Sequence, residues 1–150
     1  EPAETSVDPV ITLELEAYLP DAYVPEINQR LAFYKRLAGL TEAEEIEAVR
    51  AELQDRFGPL PPSVERLLEV VGLRIEARAL GIEKMEAAAG AARLAFSPGT
   101  RVRPERLLAV IREGGSRIRL RGEFVLEAVI PQGPWPAVHR ALTELLERFR

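Results

Sequence analysis

Residues 55–68, DRFGPLPPSVERLL, set the angle between two helices and constrain the fold more than any other stretch. Gly58 ends the first helix at low cost, because glycine adopts backbone conformations with positive φ freely. Prolines occupy three of the next four positions, where they prevent the helix from continuing and stiffen the turn. A second helix begins at once, near Ser63. The pattern therefore predicts a rigid corner that fixes the direction of the first helix's side chains.

The helices on either side of this corner are predicted from apolar residues at helical spacing. Thr41 and Glu44 form a capping-box pattern at the start of a helix over residues 41–57. Its core stripe consists of Ile46, Val49, Leu53 and Phe57. A helix over residues 63–80 is expected to bury Val64, Leu67, Leu68, Val71 and Ile75. An earlier helix over residues 26–39 is expected to bury Ile27, Leu31, Tyr34 and Ala38.

The rest of the chain predicts a sheet and two further helices. Alternation favours a strand over residues 10–19, a hairpin about Gly90 and a second hairpin that turns at Gly122. Helices are expected over residues 103–115, with Leu107, Leu108 and Ile111 inward, and over residues 133–149. Clustered helices followed by hairpins predict the α+β class, with about five helices packed on a small, largely antiparallel sheet. We expect a single domain over residues 10–150.

Composition limits the class of protein. A chain of 150 residues, 47% of them hydrophobic, is long enough for an ordinary core and too apolar for intrinsic disorder. The absence of Cys excludes disulfides and thiolate chemistry. No apolar run reaches about 18 residues, so we expect no membrane partner and a cytoplasmic location. Residues 1–9 are acidic and proline-bearing, which predicts a flexible linker within a larger protein.

The sequence lacks the common patterns of catalytic and cofactor sites. It contains no P-loop, no dinucleotide-binding glycine pattern and no H-E-x-x-H zinc motif. His139 is the only histidine, and no serine has a neighbouring base that would activate it. We therefore expect no cofactor, no metal and no catalytic residue in this chain, and a role in binding or regulation.

Charge is distributed unevenly and leaves two candidate surfaces. Residues 1–60 carry 13 acidic and five basic side chains, whereas residues 61–150 carry 11 and 15. The first surface is the acidic helix face around Glu44, Glu52 and Asp55, suited to a protein partner. The second is an arginine set, in which Arg117, Arg119 and Arg121 alternate along a predicted strand. Its other members are Arg101, Arg103, Arg106 and Arg112. The second surface keeps open an alternative function, contact with nucleic acid.

Three segments resemble the C-terminal domain of the transcription-repair coupling factor family. They are LPDAYVPEINQRLAFYKRLAGL at residues 19–40, ELQDRFGPLPPSVERLLEVVGLRIEARALGI at residues 52–82, and RLRGEFVLEAVI at residues 119–130. The R-L-x-F-Y-K-R core and the D-R-F-G-x-L-P motif are the most specific. The similarity extends over about residues 10–150 and is weakest at residues 85–100.

The resemblance implies a regulatory role. Full-length family members are ATP-driven DNA translocases that release stalled RNA polymerase and recruit the excision-repair protein UvrA. Their terminal domain is expected to dock on the UvrA-binding module of the same polypeptide and to restrain it. The alternative that the resemblance leaves open is contact with RNA polymerase through the arginine set. The docking motif maps onto Glu52, Asp55 and Arg56, beside Glu44 on the acidic face, with Leu53 and Phe57 expected in the core.

Overall fold

The ends of the helices and strands coincide with the turn residues of the sequence. The computed structural model describes residues 8–150, so residues 1–7 of the predicted linker lie outside the described part. The elements are β1 (Val10–Leu13), α1 (Ile27–Ala38), α2 (Ala43–Phe57), α3 (Pro62–Leu80), β2 (Ile82–Ala88), β3 (Ala91–Phe96), α4 (Pro104–Gly114), β4 (Ile118–Gly122), β5 (Val125–Val129) and α5 (Trp135–Glu147).

The five described strands form one sheet with the order β1-β2-β3-β5-β4. β1 pairs with β2 in parallel, and the other three pairs are antiparallel. Five helices and a mostly antiparallel sheet confirm the predicted α+β class. β1 is shorter than the predicted strand over residues 10–19, because the chain bends directly after Leu13.

Two groups of residues each form a compact unit. The helical unit comprises residues 15–75, and the sheet unit comprises residues 8–14 and 76–150. α3 therefore begins in one unit and ends in the other. The expectation of a single domain over residues 10–150 stays a prediction.

The corner between α2 and α3 belongs to the helical unit and matches the proline-rich pattern. Gly58 has φ +92° and ψ −170°, a region that only glycine tolerates, although not the left-handed helical geometry that we expected. Its N–H donates to the Gln54 carbonyl (3.0 Å), and α3 begins at Pro62. The Tyr23 hydroxyl lies 2.8 Å from the Gly58 carbonyl oxygen and 3.1 Å from the Leu53 carbonyl oxygen. Tyr23 thereby ties the corner to the preceding loop.

The core of the helical unit confirms the predicted faces of α2 and α3. Ile46, Val49 and Leu53 are buried, Phe57 is half-buried, and the Phe57 ring packs on the rings of Phe33 and Tyr23. On α3 the buried residues are Val64, Leu68, Val71 and Ile75, with Leu67 half-buried. Both helices therefore keep one apolar side inward and leave the other side to charged residues.

The predicted orientation of α1 is wrong. Ile27 and Leu31 are exposed at 57% and 58%, while Phe33 and Leu37 are buried. The helix carries two apolar faces at helical spacing, and the sequence does not say which one the core takes. Phe33 is selected because its ring meets the edge of the Phe57 ring (centroids 6.1 Å apart).

The cap of α2 differs from the predicted one by a residue. Glu42 is the N-cap, and the Glu45 carboxylate accepts from the backbone N–H groups of Thr41 (3.0 Å) and Glu42 (2.9 Å). These two hydrogen bonds lower the pKa of Glu45. The capping box is therefore made by Glu42 and Glu45 rather than by Thr41 and Glu44.

The sheet unit buries one face of its sheet. Met85, Leu94 and Leu126 are fully buried and lie side by side on β2, β3 and β5. Phe96 meets Phe149 edge to face (5.2 Å), and α5 contributes Leu142, Leu145 and Leu146 to the buried residues.

The predicted hairpin about Gly90 is confirmed: Ala89 and Gly90 both have positive φ, as in a two-residue turn. On α4, Leu107 and Ile111 are half-buried as predicted, whereas Leu108 is exposed and Val110 is the buried residue, so the prediction for Leu108 is wrong.

Replacing Leu53 with Ala tests the burial of the inner side of α2. Leu53 is fully buried, so Leu53→Ala is expected to lower the free energy of unfolding by about 2–5 kcal/mol. Leu31→Ala removes the same atoms from an exposed site of the same unit and is expected to change it by about 0.5 kcal/mol or less. Urea unfolding followed by circular dichroism measures both. Equal effects would contradict the orientation of these helices.

Candidate docking surface on α1 and α2

The predicted docking residues lie on the side of α2 that faces away from the core. Glu44, Asp55 and Arg56 are exposed, and Glu52 is half-buried. Glu44 and Asp55 are 11 residues apart and therefore lie on the same side of the helix, about 16 Å apart along its axis. The burial of Ile46, Val49 and Leu53 fixes this orientation, because the opposite side of the helix then faces solvent.

Glu52 is already paired within the chain. Its Oε1 lies 2.5 Å from Arg36 Nη1, and its Oε2 lies 3.0 Å from Arg56 Nη1. The side chains of these three residues are 35–41% exposed, so solvent screens the pairs. The hydrogen bond from Arg36, followed by that from Arg56, lowers the pKa of Glu52. Glu52 therefore organises two guanidinium groups on this surface, in addition to any contact that it makes with a partner.

Arg56 is held in position by aromatic rings as well as by Glu52. Its guanidinium carbon lies 5.5 Å from the Phe33 ring centroid and 5.2 Å from the Phe57 ring centroid. Each cation–π contact at such an exposed site is worth about 0.5–1 kcal/mol. The same aromatic pair that orients α1 thus fixes a charged group on the outer surface.

A groove of about 300 Å³ lies between α1 and α2 beside this cluster. Ala32 and Phe33 line it together with the polar side chains of Asn28, Gln29, Arg36, Glu52 and Arg56. Sequence reasoning missed Arg36, because 16 residues separate it from Glu52 and no local spacing relates the two. Phe33 lies three residues before Arg36 and therefore on the same side of α1. Once Phe33 is known to face α2, the position of Arg36 near Glu52 follows.

Asp55 and Glu44 differ from Glu52 in having no ionic partner. No ion pair or side-chain hydrogen bond joins either carboxylate to another side chain among residues 8–150. Both are therefore available to accept hydrogen bonds from another molecule, Asp55 next to the ordered Arg36–Glu52–Arg56 cluster and Glu44 about 12 Å from Glu52 along the helix axis. The surface combines free acceptors with fixed donors.

The structure separates the three arginines of the alternative site. Arg119 and Arg121 lie on β4, near Glu127 of β5 (Nε–Oε1 3.7 Å and 3.5 Å). Arg117 lies before β4 and lines a different cleft, with Arg148. Arg93 of β3 takes the place that we expected for Arg117, with its Nε 3.0 Å from Glu127 Oε2. Only the cross-strand register reveals this partner, since 34 residues separate Arg93 from Glu127.

Two general features of the described chain bear on other classes of site. None of the helices in residues 8–150 is long and apolar enough to cross a membrane. The same residues contain no group of three or more His, Asp or Glu side chains placed to hold a metal ion. His139, the only histidine, stacks with Trp135 on α5 (ring centroids 5.3 Å apart).

Comparison with known proteins assigns the family. Residues 13–107, which include α1, α2 and their groove, match the family model described as the TRCF domain. This chain belongs to the TRCF domain family. The resemblance inferred from the sequence motifs is thus confirmed.

The relatives of this TRCF domain are transcription-repair-coupling factors. The chain is 36% identical to that of Escherichia coli over 125 residues, which are 83% of this chain and 11% of the relative. It is 33% identical to that of Myxococcus xanthus over 135 residues, which are 89% of this chain and 11% of the relative. The chain thus spans about a tenth of the length of these proteins.

A solved structure supports the fold. A crystal structure of the C-terminal domain of transcription-repair coupling factor aligns with this TRCF domain at a TM-score of 0.81. The alignment covers 97% of this chain and 94% of that chain, at 20% identity. At this identity the likeness establishes the fold alone.

The pKa of Glu52 tests the paired cluster. We expect the Glu52 carboxyl to titrate below its ordinary value of 4.5, because Arg36 and Arg56 stabilise its charged form. The ion pairs therefore stabilise the fold above the ordinary pKa, and this contribution is lost as the pH falls through the lowered pKa. Carbon-13 NMR of the carboxyl group during acid titration measures the shift.

Arg36→Gln is expected to return the Glu52 pKa towards its ordinary value. Lys35→Gln removes the same charge from the neighbouring position and is the matched control, which should leave the Glu52 pKa nearly unchanged. An equal change in both variants would show that general charge, not the Arg36 contact, sets the pKa of Glu52.

Proposed function

We propose that this TRCF domain is a non-catalytic regulatory module that docks on the UvrA-binding module of the same polypeptide and restrains it. Its membership of the TRCF domain family supports the biological context. The observation that carries the proposal is the outer side of α2, where unpaired Asp55 lies beside an ordered Arg36–Glu52–Arg56 cluster and unpaired Glu44 lies on the same side nearer the start of the helix. Docking there covers the surface that UvrA requires, so the domain is autoinhibitory.

The geometry indicates what the docking partner presents. Asp55 and Glu44 accept hydrogen bonds from arginines of the partner, which are stronger than hydrogen bonds between neutral groups. Arg56 donates from a fixed position, since Glu52 and two aromatic rings hold it. The groove of about 300 Å³ beside Arg36 is open to side chains of the partner. Such a surface is polar and partly preorganised, which suits a contact that must also open.

The energies required are modest. If docking keeps the site covered about 99% of the time, the apparent affinity for UvrA falls about 100-fold, which corresponds to about 2.7 kcal/mol. Contacts between domains typically bury about 600–1,500 Å² and are polar, so they supply an energy of this size and still release. Salt weakens the exposed part of the contact.

The proposed parent protein extends this role to transcription and repair. We infer an ATP-dependent DNA translocase that acts in the cytoplasm, releases stalled RNA polymerase and recruits nucleotide excision repair. In that setting RNA polymerase and DNA are partners of the parent, whereas the UvrA-binding module is the direct partner of this domain. The domain itself requires no cofactor for docking.

Reversal of the charge at Asp55 tests the proposed contact in the full-length parent. Asp55 is exposed and unpaired, so Asp55→Arg is expected to preserve the fold and to increase capture of UvrA by about tenfold or more, because arginines of the partner are then repelled. Quantitative pull-down with UvrA measures the effect. Glu105→Arg makes the same change of charge at an exposed position of α4 and is expected to leave capture unchanged.

Two results would contradict the assignment. Asp55→Arg could leave UvrA capture at the wild-type level although circular dichroism shows an unchanged fold. Alternatively, Glu105→Arg could raise capture as much as Asp55→Arg does, which would show that overall charge and not the α2 surface controls release.

A further inference from the structure

The outer face of the sheet carries a row of charged side chains that the docking surface does not use. Through the strand register, Glu86 of β2 lies beside Arg93 of β3, Arg93 beside Glu127 of β5, and Glu127 beside Arg119 of β4. These residues alternate along their strands with the buried Leu94 and Leu126, so they lie on the opposite face. That face is open to solvent.

Glu127 is the centre of this row. One carboxylate oxygen accepts a hydrogen bond from Arg93 Nε (3.0 Å), and the other faces Arg121 Nε (3.5 Å) and Arg119 Nε (3.7 Å). The Glu127 side chain is only 16% exposed, whereas the three arginine side chains are 45–67% exposed. The carboxylate therefore lies beneath a layer of three guanidinium groups. We name these three arginines the sheet arginines.

The sheet arginines carry more positive charge than is needed to pair with the acidic side chains of the neighbouring strands. A cross-strand ladder stabilises a sheet by pairing each cation with an anion. Here three cations share one carboxylate, and none of the three has a second ionic partner among residues 8–150. The cluster keeps a net charge of +2. Each arginine approaches Glu127 through Nε, so its terminal nitrogens remain free to donate to another molecule.

The surrounding charge favours an anionic ligand. The sheet unit, residues 8–14 and 76–150, carries 13 basic and 11 acidic side chains, a net charge of +2, although the whole chain has −4. Residues 15–75 carry seven basic and 11 acidic side chains, a net charge of −4. The net acidity of the chain thus conceals a basic field around the sheet arginines, which attracts anions at low salt.

The shape of the surface selects the class of anion. The outer positions next to the sheet arginines hold small side chains, Ala91, Ala95, Val125 and Val129. Protein interfaces are usually anchored by large aromatic or Arg side chains in well-packed pockets. In the described strands β3 and β5 this face carries no aromatic side chain, and its most exposed apolar side chain is Val129. Arg93 and Glu127 line a small cleft there with Glu86, Ala88 and Ala91. An extended chain of phosphates needs no such anchor, because guanidinium forks match phosphate oxygens directly.

We propose that the sheet arginines Arg93, Arg119 and Arg121, organised by Glu127, bind the phosphodiester backbone of a nucleic acid without reading its sequence. This inference is independent of the proposed docking function, because it concerns other residues in the other unit. Contacts to three phosphates give a salt slope of about −2.7 in log affinity against log salt, that is, a loss of about 40-fold between 50 and 200 mM.

Fluorescence anisotropy tests the proposal with the 150-residue chain and a labelled 20-base-pair duplex. At 50 mM salt we expect binding with a Kd of about 1–100 μM and the steep salt dependence given above. The triple variant R93Q/R119Q/R121Q is expected to lose at least tenfold in affinity and most of the salt slope. The control R101Q/R106Q/R112Q removes three exposed arginines at and near α4, with an identical change of charge, and is expected to lose less than threefold.

A charge-preserving variant separates binding from folding. If circular dichroism shows that R93Q/R119Q/R121Q is unfolded, the variant R93K/R119K/R121K tests the proposal instead. Lysine keeps the positive charge but lacks the paired N–H donors of the guanidinium group. We expect the lysine variant to retain most of the salt slope with a few-fold weaker affinity, and loss of the slope in this folded variant would overturn the proposal. Equal losses in the glutamine variant and its control, or no binding by the wild type at 50 mM salt, would also overturn it. Tighter binding of poly-glutamate than of duplex DNA would assign the surface to acidic proteins instead.

Discussion

The packing of α2 against α1 and α3 is the constraint on which the proposed function depends. Leu53 is fully buried and Phe57 packs on Phe33, so the helix has a single possible orientation about its axis. The positive φ of Gly58 and the prolines that follow fix where the helix ends. The outward direction of Asp55 and Arg56 is a consequence of these buried contacts. The surface chemistry is therefore set by apolar residues on the other side of the same helix.

One aromatic cluster connects the core with the charged surface. The Phe33 and Phe57 rings contact each other inside, and both also lie near the Arg56 guanidinium on the outside. Arg56 in turn shares Glu52 with Arg36. A polar surface made of long side chains normally loses considerable side-chain entropy when it binds a partner. Here part of that entropy is already lost on folding, which favours a contact that forms and opens readily.

The sequence predicted the features that local rules determine. The α+β class, the corner at Gly58, the buried stripe of α2 and the hairpin about Gly90 follow from turn residues and from hydrophobic spacing. The orientation of α1 did not follow, because Ile27 and Leu31 lie on one apolar face and Phe33 and Leu37 on another, with equally good spacing. Contacts with residues far along the chain distinguish the two faces, among them the ring contact between Phe33 and Phe57, which are 24 positions apart.

In the candidate sites too, residues close together in the sequence were predicted, and residues brought together from distant parts of the chain were not. Asp55, Glu52 and Arg56 lie within one helical turn and were found from a single motif. Arg36 and Arg93 reach their carboxylates from another helix and another strand, so no local spacing points to them. The expected grouping of Arg117 with Arg119 and Arg121 failed for a related reason, since β4 begins only at Ile118 and the alternation does not extend to Arg117.

The central claim is that the outer side of α2 is the docking contact. NMR of the isotope-labelled 150-residue chain, titrated with the separately purified UvrA-binding module, tests it most directly. The account predicts chemical-shift changes at Glu44, Asp55, Arg56 and the guanidinium of Arg36, with the buried Leu53 and the sheet arginines nearly unchanged. Saturable changes confined to other surfaces, with α2 unaffected, would contradict the account.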